Sequence, residues 1–392
     1  MNRAVLLITV ILMDFLVGME FDLFVPSFPE IQSHFQLSPF WVESTLSVNF
    51  IGFCLSLLLV GDMADRFGKR PVILCGLATF VFGSILCLCA PYFFCLLVGR
   101  FLQGAGIAAP SILSFLLIGD AFELKKQQFY LAMLNGIMNI AIACAPVIGS
   151  YITLYFHWQG NFIVLLLMSL IVLTLCIFIV PADEEAVTQQ EPVGYLGILQ
   201  AKPLMLLVIH FAIMFVPWWI FVGISPLLYM EDLGVSLSHY GYYTGALALA
   251  FAIGSISYGF VIDKFDQKKM LSASNAILVL SLVLLGYITL IDCPDPLFIT
   301  LTFLLFIVGQ VIPITILFPY TLNLIPQARG RTAAIIQAGR LILSSLGLQI
   351  AGHYYNGSFQ QVGTILLICI LLAIVTLHIA IKSLNKEKCI YE

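Results

Sequence analysis

Charge is scarce in this chain, and positive charge is missing from every second loop. Of 392 residues only 10% are charged while 61% are hydrophobic, and a mean hydropathy of +1.06 excludes an ordinary soluble domain. There is no G-x-x-x-x-G-K-[ST] to cradle nucleotide phosphates and no H-E-x-x-H to hold zinc, which argues against an ATP-driven pump and a metalloprotease. The ten cysteines form neither a disulfide framework nor a metal-ligand pattern, with Cys293 in one loop and Cys389 in the last polar segment. No cofactor, no metal and no nucleic-acid partner is expected, and the net charge of −4 says little in a chain that is mostly lipid-embedded.

What is abundant is long apolar runs. Windows of about 20 residues, enough to cross a bilayer as a helix, pick out twelve segments at 4–26, 40–60, 71–90, 94–118, 128–152, 161–181, 204–230, 238–262, 269–291, 297–322, 331–355 and 360–383. With the N-terminus inside, Arg3, Arg66, Lys69, Arg70, Lys125, Lys126, Lys202, Lys264, Lys268, Lys269, Arg329, Arg331, Lys382, Lys386 and Lys388 all fall on the inner face, fifteen of seventeen basic residues. Lys and Arg bias in short loops sets orientation. The expectation is therefore an all-α, twelve-span membrane protein of the inner (cytoplasmic) membrane with both termini cytoplasmic. The first segment is too long and too charged for a signal-peptide core and reads as a retained helix.

The longest polar stretch, Pro181 to Lys202, divides the spans six and six. This predicts an N-terminal bundle over 1–181, a cytoplasmic linker over 182–203 and a C-terminal bundle over 204–392. A weak internal repeat agrees: Gly61 to Arg70 follows the second span, and Gly259 to Lys269 follows the eighth, each running from Gly through Asp to basic residues. Parallel repeats of this kind build a class of secondary transporters. Gly61-Asp62-Met63-Ala64-Asp65-Arg66-Phe67-Gly68-Lys69-Arg70 also resembles the G-x-L-A-D-R-x-G-R-K loop motif of the major facilitator superfamily. In physical terms Gly61 would let two helices approach, and Asp65 would accept from a positive helix N-terminus. The resemblance implies that this helix is span eleven, near Arg329 and Arg331, and makes Gly61, Asp65, Arg66, Gly68, Lys69 and Arg70 a conformational latch.

Five charged residues are placed where a charge costs about 2.5–3.5 kcal/mol: Asp14, Glu20 and Asp22 in the first span, Arg100 in the fourth and Arg340 in the eleventh. Depth along the helices matches Asp22 to Arg100 to within about one turn, so an Asp22–Arg100 pair is expected. Asp14 turns about 80° from Asp22 and shares a broad face with it, whereas Glu20 points well away from Asp22 and is the acid least expected in a common cavity. Asp14, with no charged neighbour at its depth, is the better proton carrier.

Met19-Glu20-Phe21-Asp22-Leu23-Phe24-Val25-Pro26-Ser27-Phe28-Pro29 is similar to the end of span one in the bicyclomycin/chloramphenicol-resistance type of drug/proton antiporters, and Arg100-Phe101-Leu102-Gln103-Gly104 to their R-x-x-Q-G. The resemblance implies that Asp14 and Asp22 are protonation and substrate-recognition sites and that Arg100 is implicated in proton coupling. Where those antiporters carry G-x-x-x-G-P-x-x-G-G in span five, this chain reads Ala141 to Ser150, and Ala145, Pro146 and Gly149 keep the small-residue, proline-bent packing motif. Arg340 is a departure: a fixed guanidinium favours carboxylate or phosphate groups. Trp218 and Trp219 in span seven and Gln310 in span ten complete the candidate substrate-binding set with Asp14 and Arg340, beside Phe221, Tyr229 and the prolines 217 and 226.

The expected function is a proton-coupled secondary transporter, not an enzyme, moving a small amphipathic molecule by alternating access, with multidrug-type efflux foremost. An anionic or zwitterionic metabolite or siderophore recognised by Arg340 is the alternative, and a non-transporting sensor is a third reading. Its partners would be the substrate, protons and membrane lipids, and a monomer is expected.

Overall fold

In a bilayer every backbone N–H and C=O must find its partner within the protein, which leaves helices as the form an apolar run of this length can take. The computed structural model describes residues 3–122, 124–181, 195–261, 266–292, 294–325 and 329–391, and it is helical almost throughout. The first set of helices comprises α1 (Arg3–Asp22), α2 (Phe28–Phe35), α3 (Pro39–Phe67), α4 (Lys69–Leu88), α5 (Phe93–Ala121) and α6 (Leu124–Ile179). After it come α7 (Tyr195–Gln200), α8 (Lys202–Pro226), α9 (Leu237–Val261), α10 (Gln267–Leu290), α11 (Pro296–Asn323), α12 (Arg329–Tyr354) and α13 (Phe359–Tyr391). The short α7 lies within the segment expected to be linker.

Local chemistry ends the helices where it should. Pro26 opens a 3₁₀ turn, Val25–Ser27, that closes the first span. α3 starts with Pro39 in its first turn and stops at Gly68, whose φ of 87° suits a residue without a Cβ. Asp295 caps α11, its carboxylate accepting from the Leu297 N–H at 2.9 Å. The loop expected near 153–160 is replaced by one residue, His157, at φ 60° and ψ −176° inside α6. Counting α6 as two spans about that break, the described residues hold twelve helices of membrane-crossing length, in the order the sequence predicts. Ten stretches among the described residues meet both length and hydropathy for a span, and one of them, Gly136–Ile179, runs through the His157 break and covers parts of two spans.

Helices alternate in direction, so the bundle has two ends: the proximal end, where Arg3 lies, and the distal end. Small residues set the close contacts, as expected where lipid gives helices no hydrophobic reason to associate. A Cβ on Gly104 of α5 would overlap the Asn49 carbonyl of α3, and one on Gly149 of α6 would overlap the Leu23 carbonyl after α1.

The two sets meet chiefly through α3 with α12 and α6 with α9. At the distal side Ser47 Oγ donates to the Ser345 carbonyl and Ser345 Oγ to the Ser47 carbonyl, both at 3.3 Å. Gln349 Nε2 donates to Ser47 Oγ at 2.9 Å, and the Tyr151 and Tyr242 hydroxyls lie 2.9 Å apart. These bonds hold the distal ends of the two sets together.

Candidate functional site

The buried polar centre forms where α1, α3 and α5 converge. Gly104 lets α3 press against α5, which carries Asn49 to the level of Arg100. Asn49 Nδ2 donates to the Arg100 carbonyl at 3.0 Å and to Glu20 Oε1 at 2.7 Å. Arg100 Nη1 donates to the same Glu20 oxygen at 2.9 Å and to Gln103 Oε1 at 2.7 Å. Gln103 Nε2 continues to Ser84 Oγ at 2.8 Å, and the Phe24 ring covers the guanidinium 4.0 Å from its centroid. Both charged side chains are fully buried.

The expected pairing is thus corrected: the acid bound to Arg100 is Glu20, not Asp22. Depth along two helices fixes a pair only to about one turn, and the long arginine side chain spans that interval. Rotation about the helix axes decides, and it is set by the Gly104 contact and the Asn49 bridge. The pair is also one-pronged. Glu20 Oε2, Arg100 Nε and Arg100 Nη2 have no hydrogen-bond partner, leaving capacity that a bidentate pair would have used.

Asp14 is buried at 1% exposure near the middle of α1. Neither carboxyl oxygen has a hydrogen-bond partner; the Ser114 hydroxyl lies beside it without a hydrogen bond to it. Asp22 is buried as well, and its Oδ1 is unpartnered. Among the described residues no cation lies within 4.0 Å of either acid.

A fourth membrane acid escaped sequence reasoning. Glu43 is fully buried on α3 with both oxygens unpartnered. An acid four residues into a span ordinarily reaches the interface, and its burial comes from α8 and α12, which no local pattern announces.

Of the remaining candidates, Trp219 reaches the first helix set, its ring meeting Phe50 at 4.7 Å and Phe21 at 5.9 Å. Phe221 instead stacks on Phe303 at 4.3 Å, and Tyr229 bonds to Thr300 Oγ1 at 2.8 Å, so both face α11. Trp218 is half-buried against the core. Gln310 is buried with Oε1 unpartnered. Arg340 places its guanidinium 4.2 Å from the Phe215 ring centroid; its Nε is unpartnered and no described acid lies within 4.0 Å.

The loop motif departs from its expected arrangement at Gly61. Gly61 faces open space, with nothing within 4 Å of where a Cβ would be, so in this conformation it does not serve helix approach. Asp62 makes a contact to α12, accepting from Arg331 Nη2 at 3.4 Å. The side chains of Asp65 and Arg329 lie outside the described residues. Lys69 pairs with Asp120, Arg70 Nη2 donates to the Ile177 carbonyl at 2.7 Å, and Arg66 is exposed. In α6, Ala145, Pro146 and Gly149 are all buried, and a Cβ on Gly241 of α9 would lie 2.6 Å from the Pro146 carbonyl oxygen.

The chain is similar to the multidrug resistance protein MdtL of Klebsiella pneumoniae, 26% identical over 275 residues covering 68% of this chain and 69% of that one. It is 28% identical to the MdtL of Shigella flexneri over 262 residues, 65% of this chain and 66% of that one. Among solved structures it superposes on a D-xylose–proton symporter with a TM-score of 0.76 at 14% identity, covering 96% and 97% of the two chains. A bacterial homologue of the lysosomal transporter Spinster, in an inward-facing and occupied conformation, gives 0.71 at 15% identity, covering 96% and 95%. The family model described as Major Facilitator Superfamily matches residues 10–348 and 206–386, and the chain, a multi-pass membrane protein, belongs to that superfamily.

Proposed function

We propose that the protein is a proton-coupled exporter of small amphipathic molecules in a bacterial inner membrane, with its proximal end and both termini cytoplasmic. The observation that carries this reading is Asp14: a mid-span carboxyl, buried and without a partner for either oxygen, six residues along α1 from a Glu20–Arg100 pair whose charges offset each other. An unpaired carboxylate in that position is far more costly than a neutral acid, so Asp14 holds a proton readily and releases it when water or a cationic substrate reaches it. The multidrug names of the relatives agree with this reading. Asp22 is the second exchangeable acid. The Glu20–Arg100 pair positions α1 against α5, and Trp219, with Phe21 and Phe50, offers an apolar aromatic surface between the helix sets. Each charge moved is biased by about 2.3 kcal/mol per 100 mV of membrane potential.

The test is proton release from purified protein in detergent on adding substrates, with lipophilic cations and carboxylate metabolites as parallel panels. Release with cations that Asp14→Asn abolishes supports the reading. A second reading, transport of an anionic or zwitterionic molecule, is favoured by Arg340, a guanidinium with no acid beside it. A response confined to carboxylates and lost in Arg340→Ala would replace the first reading with the second.

A further inference from the structure

Glu43 projects from α3 of the first helix set into a slot formed by glycines of the second. A Cβ on Gly223 of α8 would overlap Glu43 Oε2, and one on Gly352 of α12 would lie 3.0 Å from Glu43 Cγ and 3.0 Å from Phe40 Cα. The slot therefore exists only where both positions lack a side chain, and only while the distal ends are together. Around it, α9 contributes Tyr240, whose hydroxyl bonds to Ser225 Oγ at 2.9 Å and interacts electrostatically with both Glu43 and Asp22. From α12 the exposed His353 sets its ring against Phe40 at 6.3 Å; α8 contributes Gly223 and, bonded to Tyr240, Ser225; α1 contributes Asp22 through the same Tyr240. No described Lys or Arg lies within 4.0 Å of the Glu43 carboxyl, and both its oxygens are unpartnered.

A carboxylate stripped of water with neither cation nor donor is strongly disfavoured against its protonated form, so the closed slot accommodates the neutral acid. We propose that Glu43 is a further proton-binding site, separate from Asp14 and Asp22, whose occupation is required for the distal ends of the two helix sets to close. The inference rests on the proton-coupled reading for its place in the cycle: parting the distal ends hydrates Glu43 and lets it ionise, and closing them requires that a proton return from the distal compartment. Linkage fixes the sign. A group protonated in the closed state and ionised in the open one shifts the equilibrium toward closure as pH falls.

The experiment measures the distance between spin labels, introduced through non-canonical amino acids, at positions 94 and 290. Both are highly exposed near the distal ends of α5 and α10, one in each set. In the native chain the short-distance population should rise on acidification, by about tenfold relative to the long-distance one, and Glu43→Gln should hold it short throughout. No pH response in the native chain, or the same response in Glu43→Gln, overturns the proposal. Should Glu43→Gln fold poorly, Glu43→Met is the second neutral variant, and a flat native profile alone is decisive. The measurement needs neither substrate nor flux. In Asp14→Asn the pH response should persist while proton-linked flux is lost, so the two readings fail separately.

Discussion

Glu20 and Arg100 share one hydrogen bond of 2.9 Å at full burial, and Asp22, two residues further along α1, takes no part in it. Two residues turn a helix by about 200°, so the two acids look in nearly opposite directions from one stretch of backbone. One is committed to holding α1 against α5, and the other is left available for exchange.

Breaking the pair from one side should therefore cost stability rather than coupling alone. Arg100→Met or Glu20→Gln is expected to destabilise by about 3–5 kcal/mol, with the double variant losing less than the sum because no lone charge is left behind. Thermal unfolding of the four forms in one detergent measures this, and an additive double variant would refute the pairing.

Asp14→Asn and Asp22→Asn should leave the fold intact, since neither carboxylate has a cationic partner to lose. Proton release on substrate addition is expected to vanish in the first and to be reduced in the second. Unfolding temperatures within a few degrees of the native protein's, alongside lost release, would separate function from packing.

The spans and the three acids of the first span are legible in the sequence, but not the directions in which side chains face. The apolar runs were legible because a bilayer sets their length, and Gly68 and Pro26 marked helix ends by backbone chemistry alone. The partner of Arg100 was not legible: depth left Glu20 and Asp22 equally reachable, and the choice came from Asn49 on a third helix. Glu43 was invisible for a related reason. Its slot is made by Gly223 and Gly352, about 180 and 310 residues away in sequence, and a glycine in a span says only that something comes close.

Two glycines should answer differently to enlargement. Gly104→Val, whose Cβ meets the Asn49 backbone, is expected to cost about 1–3 kcal/mol or more and to lower the yield of folded protein. Gly61→Ala, facing open space in a helix, should be neutral or raise stability by about 0.5–1 kcal/mol. A large loss of stability in Gly61→Ala would restore the helix-approach role.

The Asp62–Arg331 contact, at 3.4 Å and partly exposed, is worth at most about 1 kcal/mol. Asp62→Arg should weaken the link between α3 and α12 at the proximal end, and Asp62→Arg with Arg331→Asp should recover it. Accessibility of the proximal end to a soluble cysteine reagent, compared across the three forms, checks this; no recovery in the exchanged pair would mean the contact is incidental.

His157 joins two spans with a single residue out of helical geometry, and the neighbouring distal connections, 89–92 and 355–358, are four residues each. At these three connections proteases and antibodies meet turns too short to be drawn into a cleft. An inhibitor aimed at that part of the distal face has no loop to grip: it would wedge into the seam between the two helix sets, against the Ser47–Ser345 contact, and would work by preventing that seam from shutting.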